Sequence, residues 1–177
     1  MRYDGASWTI YTTEDGLIHD TIYGITQTPN GDIWFGTLGG LSRFDGTEWT
    51  GYTLTEAENE RKVRTLTVAR DGSLWLGQAA PSRGTTRFDG TAWTRYTLED
   101  GLGDNAVWKV FQSRDGTFWF GTADILTRFD GSDWSIYSGE DMPVSIGTIR
   151  SIGETSDGAL WLRGDGVLVR FVPDRNA

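Results

Sequence analysis

Apolar and polar residues alternate along this chain in short runs, the period-two pattern of half-buried β-strands. No segment shows the 3.6-residue periodicity of an amphipathic helix. The segment 54–62, LTEAENERK, contains helix-favouring residues but has no apolar face, so it predicts a polar loop. In one stretch the pattern predicts four successive strands, named a to d, at residues 62–68, 73–78, 85–88 and 92–97.

The connections between these strands predict β-hairpins. Asp71-Gly72 joins strand a to strand b, and Asp89-Gly90 joins strand c to strand d. Asp-Gly is a strong hairpin signal because the tight turn needs a positive φ angle, which glycine adopts at no steric cost. The four strands are therefore expected to pair antiparallel in sequence order.

The four-strand unit is repeated. The phrase RFDGTEWTGYT at 43–53 recurs with small changes at 2–12, 87–97 and 128–138, and its Asp is spaced by 41, 44 and 41 residues. A second phrase, NGDIWFGT at 30–37, recurs three times at spacings of 41, 44 and 42 residues. Such a period is typical of propellers, solenoids and repeat arrays.

Four antiparallel strands in a unit of about 40 residues predict an all-β fold, a β-propeller of four four-stranded antiparallel blades. A β-sandwich is disfavoured because its strands occupy non-equivalent places, and a solenoid because neither end resembles a polar cap. The predicted domain covers residues 1–177, with blades at approximately 17–53, 54–97, 98–138 and 139–172 plus 7–12. Eight of the nine Trp fall at two repeated positions and are predicted to pack between blades: 8, 49, 93, 134, 34, 75, 119 and 161.

The two ends of the repeat array are complementary. Residues 7–12 form a strand d with no complete blade before them, whereas the last unit, 147–172, has no strand d. We predict that the N-terminal strand completes the C-terminal blade and closes a four-bladed ring, which leaves no unpaired edge. The alternative is an eight-bladed ring in which two chains exchange these strands about a twofold axis.

Composition excludes several classes of function. The 16 basic and 25 acidic residues give a net charge of −9, which disfavours nucleic-acid phosphates and anionic membrane surfaces as partners. The chain has no Cys and a single His, so it holds neither a disulfide framework nor a multi-histidine metal site. No apolar run reaches the ~20 residues of a membrane span, and the first residues do not have the pattern of a signal peptide. No motif for calcium, phosphate or a serine nucleophile is present, so no cofactor, metal or catalytic residue is predicted.

The stretches VRTLTVARDGSLWLGQ (63–78) and AVWKVFQSRDGTFWFGTADIL (106–126), together with the RFDG phrases, resemble repeats of the two-component regulator propeller family. The resemblance implies a sensor-type propeller of the kind found outside the cytoplasm in hybrid histidine kinases, where it often responds to polysaccharide fragments. The fourth repeat departs from the pattern, with Arg163 where the others have Gly36, Gly77 and Gly121.

Comparison of the four repeats with one another indicates a candidate binding face. The a–b and c–d turns are Asn-Gly or Asp-Gly in every repeat, whereas the b–c and d–a connections vary. In an antiparallel blade these two sets lie at opposite ends, so the variable loops share one face of the disc. Binding sites usually lie on such loops.

Four residues mark the centre of that face. The position eight residues before each a–b turn glycine, near the start of the innermost strand, is occupied by Tyr23, Arg64, Trp108 and Arg150. Aromatic rings stack on sugars, and guanidinium groups bind carboxylates, so this position predicts a site for a saccharide or a small acidic ligand. The structural interpretation is that all four pack between blades, with the Arg heads reaching water. Residues expected near them on the variable face are His19, Asp20, Arg61, Lys62, Arg83 and Asn105.

The sequence therefore predicts a non-enzymatic, ligand-binding or sensor-like propeller module, either monomeric or homodimeric. One alternative is a structural unit of an assembly that binds no small molecule. Another is a small lyase or hydrolase that uses His19, since histidine serves as a general base near neutral pH.

Overall fold

The computed structural model describes residues 1–54, 61–78 and 83–173, and in these ranges the chain is β-structure apart from short 3-10 helices at Thr13–Asp15, Leu98–Asp100 and Gly139–Asp141. An N-terminal hairpin is followed by four antiparallel sheets, which we call blades 1 to 4. The N-terminal hairpin consists of β1 (Arg2–Tyr3) and β2 (Trp8–Thr9). Blade 1 contains β3 (Ile22–Gln27), β4 (Ile33–Thr37), β5 (Leu41–Phe44) and β6 (Trp49–Tyr52). Blade 2 contains β7 (Thr65–Val68), β8 (Leu74–Gly77), β9 (Thr85–Phe88) and β10 (Trp93–Tyr96). Blade 3 contains β11 (Lys109–Gln112), β12 (Phe118–Gly121), β13 (Ile125–Phe129) and β14 (Trp134–Ser138). Blade 4 contains β15 (Ser151–Glu154), β16 (Leu160–Arg163) and β17 (Leu168–Phe171).

The predicted strands and hairpins are confirmed in blades 1 to 3, and strands a to c are confirmed in blade 4. Strands pair in sequence order, with Trp75 of β8 opposite both Thr67 of β7 and Arg87 of β9. The turn glycines adopt positive φ, +82° at Gly72 and +102° at Gly90. The predicted polar loop at 54–62 falls largely on residues 55–60, which lie outside the described residues.

The aspartates of the c–d turns organise their hairpins by accepting backbone hydrogen bonds. Oδ1 of Asp89 accepts the N–H groups of Thr91 and Ala92, both at 2.8 Å. Asp4, Asp45 and Asp130 accept the same pair of bonds two and three residues ahead. Because these bonds stabilise the charged carboxylate, they lower the pKa of Asp45, Asp89 and Asp130 to about 2.

The arginine of the RFDG phrase has a structural role. Arg87 of β9 donates to the carboxylate of Asp71 at 3.0 Å, and Arg170 of β17 donates to Asp157 at 2.7 Å. Both carboxylates belong to a–b turns, so the arginine ties strand c to the turn of its own blade. In blade 3 the equivalent Arg128 pairs instead with Asp130 of its own c–d turn at 3.5 Å, so the partner of this arginine differs between blades.

The bulky side chains of strand b form the contacts between blades. Trp34 stacks on Tyr52 of its own blade at 5.5 Å and lies against Phe88 of blade 2 at 5.8 Å. Trp75 repeats this arrangement with Tyr96 and Phe129. Three hydrophobic clusters result, one between each pair of successive blades.

Two of the eight Trp predicted to pack between blades do not do so in the structure. Trp8 of the N-terminal hairpin and Trp161 of blade 4 are 64% and 38% exposed. Trp34, Trp75 and Trp119 are buried because a following blade covers them. No blade follows Trp161 among the described residues, so its outer face meets solvent.

Glycines in strand b let the innermost strands approach one another closely. A Cβ on Gly77 would lie 2.9 Å from Cγ1 of Val107 in the next blade, a distance that real Cβ atoms essentially never show. Successive inner strands β3, β7, β11 and β15 accordingly lie side by side. The described residues show no comparable contact between β15 and β3, so the four blades form an open arc.

The structure differs from the predicted closure of the ring within one chain. Strand β2 pairs with β1, Arg2 opposite Thr9 and Tyr3 opposite Trp8, and blade 4 remains three-stranded. The reason is local: Arg2-Tyr3 repeats the Arg-aromatic end of a strand c and is linked to β2 by its own Asp4-Gly5 turn. Closing so short a loop costs less chain entropy than joining the two ends of the chain.

We expect Trp75→Ala to lower the free energy of unfolding by about 3–5 kcal/mol, because it leaves a large cavity between blades 2 and 3. Trp93→Ala, which removes the same side chain from a position that is 37% exposed, is the control and is expected to cost less than half as much. Chemical denaturation of the two variants measures both. Equal losses would contradict the view that strand b supplies the core.

We expect the protein to lose stability below about pH 4 as the c–d turn aspartates begin to protonate. Their folded-state pKa of about 2 lies below the ordinary value of 3.8, so their contribution is complete above pH 4 and is lost as pH falls towards 2. The triple variant with Asn at 45, 89 and 130 should show a flatter dependence of Tm on pH between 4 and 2. Glu48→Gln, which alters another acidic side chain of the same hairpin, should keep the wild-type slope.

Candidate functional site

The four residues predicted at the centre of the variable face form one stacked row, which we call the rim row. The guanidinium carbon of Arg64 lies 4.8 Å from the ring centroid of Tyr23 and 4.5 Å from that of Trp108. The guanidinium carbon of Arg150 lies 5.1 Å from the Trp108 ring. Aromatic and cationic groups therefore alternate across all four blades, and each neighbouring pair is a cation–π contact.

The inner strands place these side chains by a repeated backbone contact. The N–H groups of Arg64, Trp108 and Arg150 each donate at 2.9 Å to the carbonyl at the end of the adjacent strand b. Tyr23 differs, because the pairing of β3 with β4 has an irregular register between Ile22 and Gly24. The rim-row position therefore makes the same backbone contact in blades 2 to 4, whereas in blade 1, at the edge of the arc, the strand register beside it is irregular.

The two arginines of the rim row have different electrostatic surroundings. Arg150 donates from Nε and Nη2 to Oδ1 of Asp165, both at 3.1 Å. The hydrogen bond from the N–H of Thr148 and, as the second cause, the contact with Arg150 hold the pKa of Asp165 below its ordinary value. Arg64 has no carboxylate partner among the described residues, and its Nε is buried without a hydrogen-bond acceptor. The unpaired cation of the row is therefore Arg64.

A third cation extends the row at its Tyr23 end. Nζ of Lys62 lies 5.1 Å from the Tyr23 ring centroid, on a ring that also contacts Arg64. Lys62 and Arg64, which both contact the Tyr23 ring, form a local concentration of positive charge in a chain whose net charge is −9. Such a surface attracts an anionic ligand more strongly than the net charge indicates.

Three of the residues expected around the site hold the d–a loops together. The Nδ1 atom of His19 accepts the N–H of Thr21 at 2.9 Å. Oδ1 of Asp20 accepts the N–H of Thr13, and Oδ1 of Asn105 accepts the equivalent N–H of Leu98. His19, Asp20 and Asn105 therefore have structural hydrogen bonds that account for their positions.

The other two expected neighbours are not brought into the row by any described contact. Arg83 lines a separate groove of about 550 Å³ between blades 1 and 2, together with Tyr52, Trp93 and Arg95. Arg61 is half-buried immediately before the inner strand of blade 2. The role of both in ligand binding stays a prediction.

Sequence reasoning missed Asp165, the residue that separates the two arginines electrostatically. It lies in the variable b–c connection of the fourth repeat, between Gly164 and Gly166. Its carboxylate also accepts the N–H of Thr148 at 3.0 Å, which ties this connection to the start of the inner strand. The sequence feature that could have identified it is an aspartate two residues after Arg163, the residue that stands in place of the strand-b glycine of the other repeats.

In the part of the chain that the structure describes, no group of three or more His, Cys, Asp or Glu side chains is placed to hold a metal ion. No described helix is long and apolar enough to cross a membrane.

Solved structures similar to this chain are β-propeller-like proteins. The extracellular domain of BT3049, described as a hybrid two component system of B. thetaiotaomicron, matches with a TM-score of 0.80 and 18% identity, over 96% of this chain and 24% of that one. Virginiamycin B lyase of Staphylococcus aureus, solved as an inactive variant with quinupristin, matches with a TM-score of 0.67 and 22% identity, over 88% of this chain and 57% of that one.

These likenesses show the fold alone, because the identities are below 25%. The chain spans about a quarter of the BT3049 domain and somewhat over half of the lyase. A comparison with curated protein sequences gave no match. The neighbours include both sensor-type domains and lyases, so the fold does not decide between binding and catalysis.

The family comparison agrees with the resemblance stated from the sequence. Residues 16–39 and 101–124 match the model of the two component regulator propeller family. Each matched segment runs from a d–a connection through strands a and b, and so includes a residue of the rim row, Tyr23 or Trp108. The chain is thus an all-β, propeller-like protein in which two segments match the two-component regulator propeller family.

Proposed function

We propose that this chain is a non-enzymatic, sensor-type propeller module that binds an acidic saccharide, or a similar flat carboxylate, at the rim row. The observation that carries the proposal is Arg64, held between the rings of Tyr23 and Trp108 with its Nε buried and unpaired. A buried cationic donor without an acceptor is costly unless a ligand or water supplies one. A ligand carboxylate would satisfy it.

The two aromatic rings supply the second part of the proposed recognition. Tyr23 and Trp108 flank Arg64, so a carboxylate held by Arg64 would place the attached ring against an aromatic edge or face. Trp and Tyr contribute large apolar area together with a polar group, which suits the faces of sugar rings. Lys62 adds charge for a second acidic group, whereas Arg150 is already neutralised by Asp165.

Support for a sensing role comes from the family and from the neighbours. Two segments match the two component regulator propeller model, and a similar structure is the extracellular domain of a protein described as a hybrid two component system. An extracytoplasmic location for this chain is part of the proposal. A single propeller-type domain over residues 1–177 is likewise proposed.

Catalysis through His19 receives no support from the geometry. Its Nδ1 accepts a backbone N–H, and it lies in the connection that precedes β3, outside the described contacts of the rim row. The lyase neighbours share the fold at 22% identity or less.

We expect Arg64→Gln to reduce affinity for uronic-acid oligosaccharides at least tenfold, because a charge-assisted hydrogen bond contributes about 1.5–3 kcal/mol. Isothermal titration calorimetry against a panel of these oligosaccharides, each with a neutral counterpart of the same length, measures the loss. Arg95→Gln, an exposed arginine of β10 remote from the row, is the matched control and should bind as the wild type does. Absence of binding by the wild type across the panel, or an equal loss in both variants, would reject the proposal.

We expect Trp108→Ala to weaken binding of both the acidic and the neutral members of the panel, because it removes the stacking surface. Arg64→Gln should instead act mainly on the acidic members. His19→Gln should leave affinity unchanged. The contrast between the two rim-row variants separates stacking from charge, and circular dichroism checks that each variant is folded.

A further inference from the structure

We propose that two copies of this chain close into one eight-bladed ring, in which blade 4 of each copy packs against blade 1 of the other. Trp161 of one copy then fills the apolar groove that Tyr11 and blade 1 of its partner line. This assembly is argued from the exposed apolar faces of blades 1 and 4, and it does not depend on the proposed ligand.

The first end of the arc is the exposed face of blade 1. Ile22 and Ile25 on β3 are 37% and 63% exposed. At the three contacts inside the arc, the residues equivalent to Ile22 are fully buried by the preceding blade: Val63, Val107 and Ile149. Blade 1 therefore presents an apolar face of the kind that each other blade covers.

The second end is the opposite face of blade 4. Leu168 of β17 is 65% exposed, whereas the equivalent residues Leu41, Thr85 and Leu126 are fully buried by the next blade. Trp161 is 38% exposed, in contrast to its three buried equivalents. Each copy thus carries one face of each type, and the contacts within the arc show how the two types fit together.

The groove on blade 1 is lined by the residues that Trp161 would contact. It has a volume of about 420 Å³, and its walls include Tyr11, Phe35, Phe44 and Ile33. Within the arc, Trp34 lies between Tyr52 and Phe88, which are the repeat equivalents of Tyr11 and Phe44. Tyr11 already lies 5.7 Å from Phe44, as Tyr96 lies 5.8 Å from Phe129 beside Trp75 and Tyr137 lies 5.0 Å from Phe171 beside Trp119. The groove therefore has the aromatic walls that surround a strand-b Trp between two blades, but no strand-b Trp among the described residues lies in it.

The unpaired edge of β17 gives the second contact. Strand d pairs with strand c in every complete blade, with Phe44 opposite Trp49 and Leu41 opposite Tyr52 in blade 1. The same register would set Phe171 opposite Trp8 and Leu168 opposite Tyr11 of the second copy. β17 would replace β1, whose ladder with β2 has two residues, by a ladder of four. The exchange completes blade 4 and removes both open edges.

A second copy fits these ends because it presents both faces at once. A head-to-tail contact closes into a ring when the rotation permits, and two arcs of four blades make eight, within the usual range for propellers. The rim row would close as well, because Arg150 of one copy would lie between its own Trp108 and Tyr23 of the second copy. Within the arc, Arg64 likewise lies between a Tyr ring and a Trp ring, those of Tyr23 and Trp108.

One position makes the contact between copies different from those within the arc. Arg163 stands where Gly36, Gly77 and Gly121 allow close approach of the next inner strand. The inner strands of the two copies must therefore lie farther apart at this point. The side chain of Arg163 would extend along the wider gap towards the rim, next to Tyr23 of the second copy.

The test is the molar mass of the 177-residue protein in solution, measured by multi-angle light scattering. The wild type should have the mass of two chains. Ile25→Glu and Leu168→Glu, which put a charge on either end face, should each halve it. Ile136→Glu, a matched change at a position that is 49% exposed on β14 away from both ends, should leave it unchanged. A wild-type mass of one chain, a mass above two chains, or dissociation by the control would overturn the proposal.

A cysteine pair tests the register directly, because the chain has no native Cys. Directly opposite residues of antiparallel strands lie close enough for a disulfide, and the proposed register sets Thr9 opposite Arg170 of the second copy. The double variant Thr9→Cys, Arg170→Cys should form covalent dimers under oxidising conditions, while each single variant should not. A disulfide within one chain, or no disulfide, would overturn the exchange of strands.

The two proposals are tested separately. Loss of uronate binding in a protein that is still dimeric would reject the proposed ligand only, and a monomeric protein that still binds uronate through Arg64 would reject the dimer only.

Discussion

The fold depends on one contact, the packing of the strand-b tryptophan against the next blade. A single blade is a thin sheet with two apolar faces, and it buries neither of them alone. Trp34, Trp75 and Trp119 each lie over aromatic residues of the following blade and are 3% exposed or less. At roughly 25 cal/mol per Å² of apolar surface, the burial of such large rings contributes strongly to stability. Stability is therefore a property of pairs of blades, and a blade without a neighbour is incomplete.

The repeat in the sequence predicted the parts of the structure that are decided locally. Strands, Asp-Gly turns, the pairing order and the buried strand-b residues all follow from one unit of about 42 residues, because each copy makes the same contacts. The prediction of a ring closed within the chain was wrong for a related reason. Arg2-Tyr3 and Arg170-Phe171 carry the same local pattern, so the pattern cannot tell which of them pairs with Trp8-Thr9. That choice depends on chain connectivity and on the curvature of the arc, which no single repeat contains.

The rim row shows a similar division between what the repeat decides and what it does not. Position in the repeat predicted that Tyr23, Arg64, Trp108 and Arg150 lie around one mouth, and the structure brings them into contact. The different surroundings of the two arginines could not be predicted, because they come from Asp165 in the b–c connection of the fourth repeat, a connection whose sequence varies between repeats. The neighbouring His19, Asp20 and Asn105 were expected from loop position alone. Their side chains are instead occupied by backbone N–H groups of the same or adjacent turns.

The open arc and the rim row are two consequences of the same geometry. Rotating from one blade to the next carries Tyr23 onto Arg64, Arg64 onto Trp108 and Trp108 onto Arg150, so each side chain rests on the one before it. Within one chain the row therefore ends where the arc ends, with Tyr23 exposed on one side and Arg150 held by Asp165 on the other. Asp165 supplies the counter-charge that Arg150 would otherwise lack at the edge. Arg64, in the interior of the row, has aromatic neighbours on both sides and no such carboxylate, and this is why the interior of the row, and not its ends, is suited to an anionic ligand.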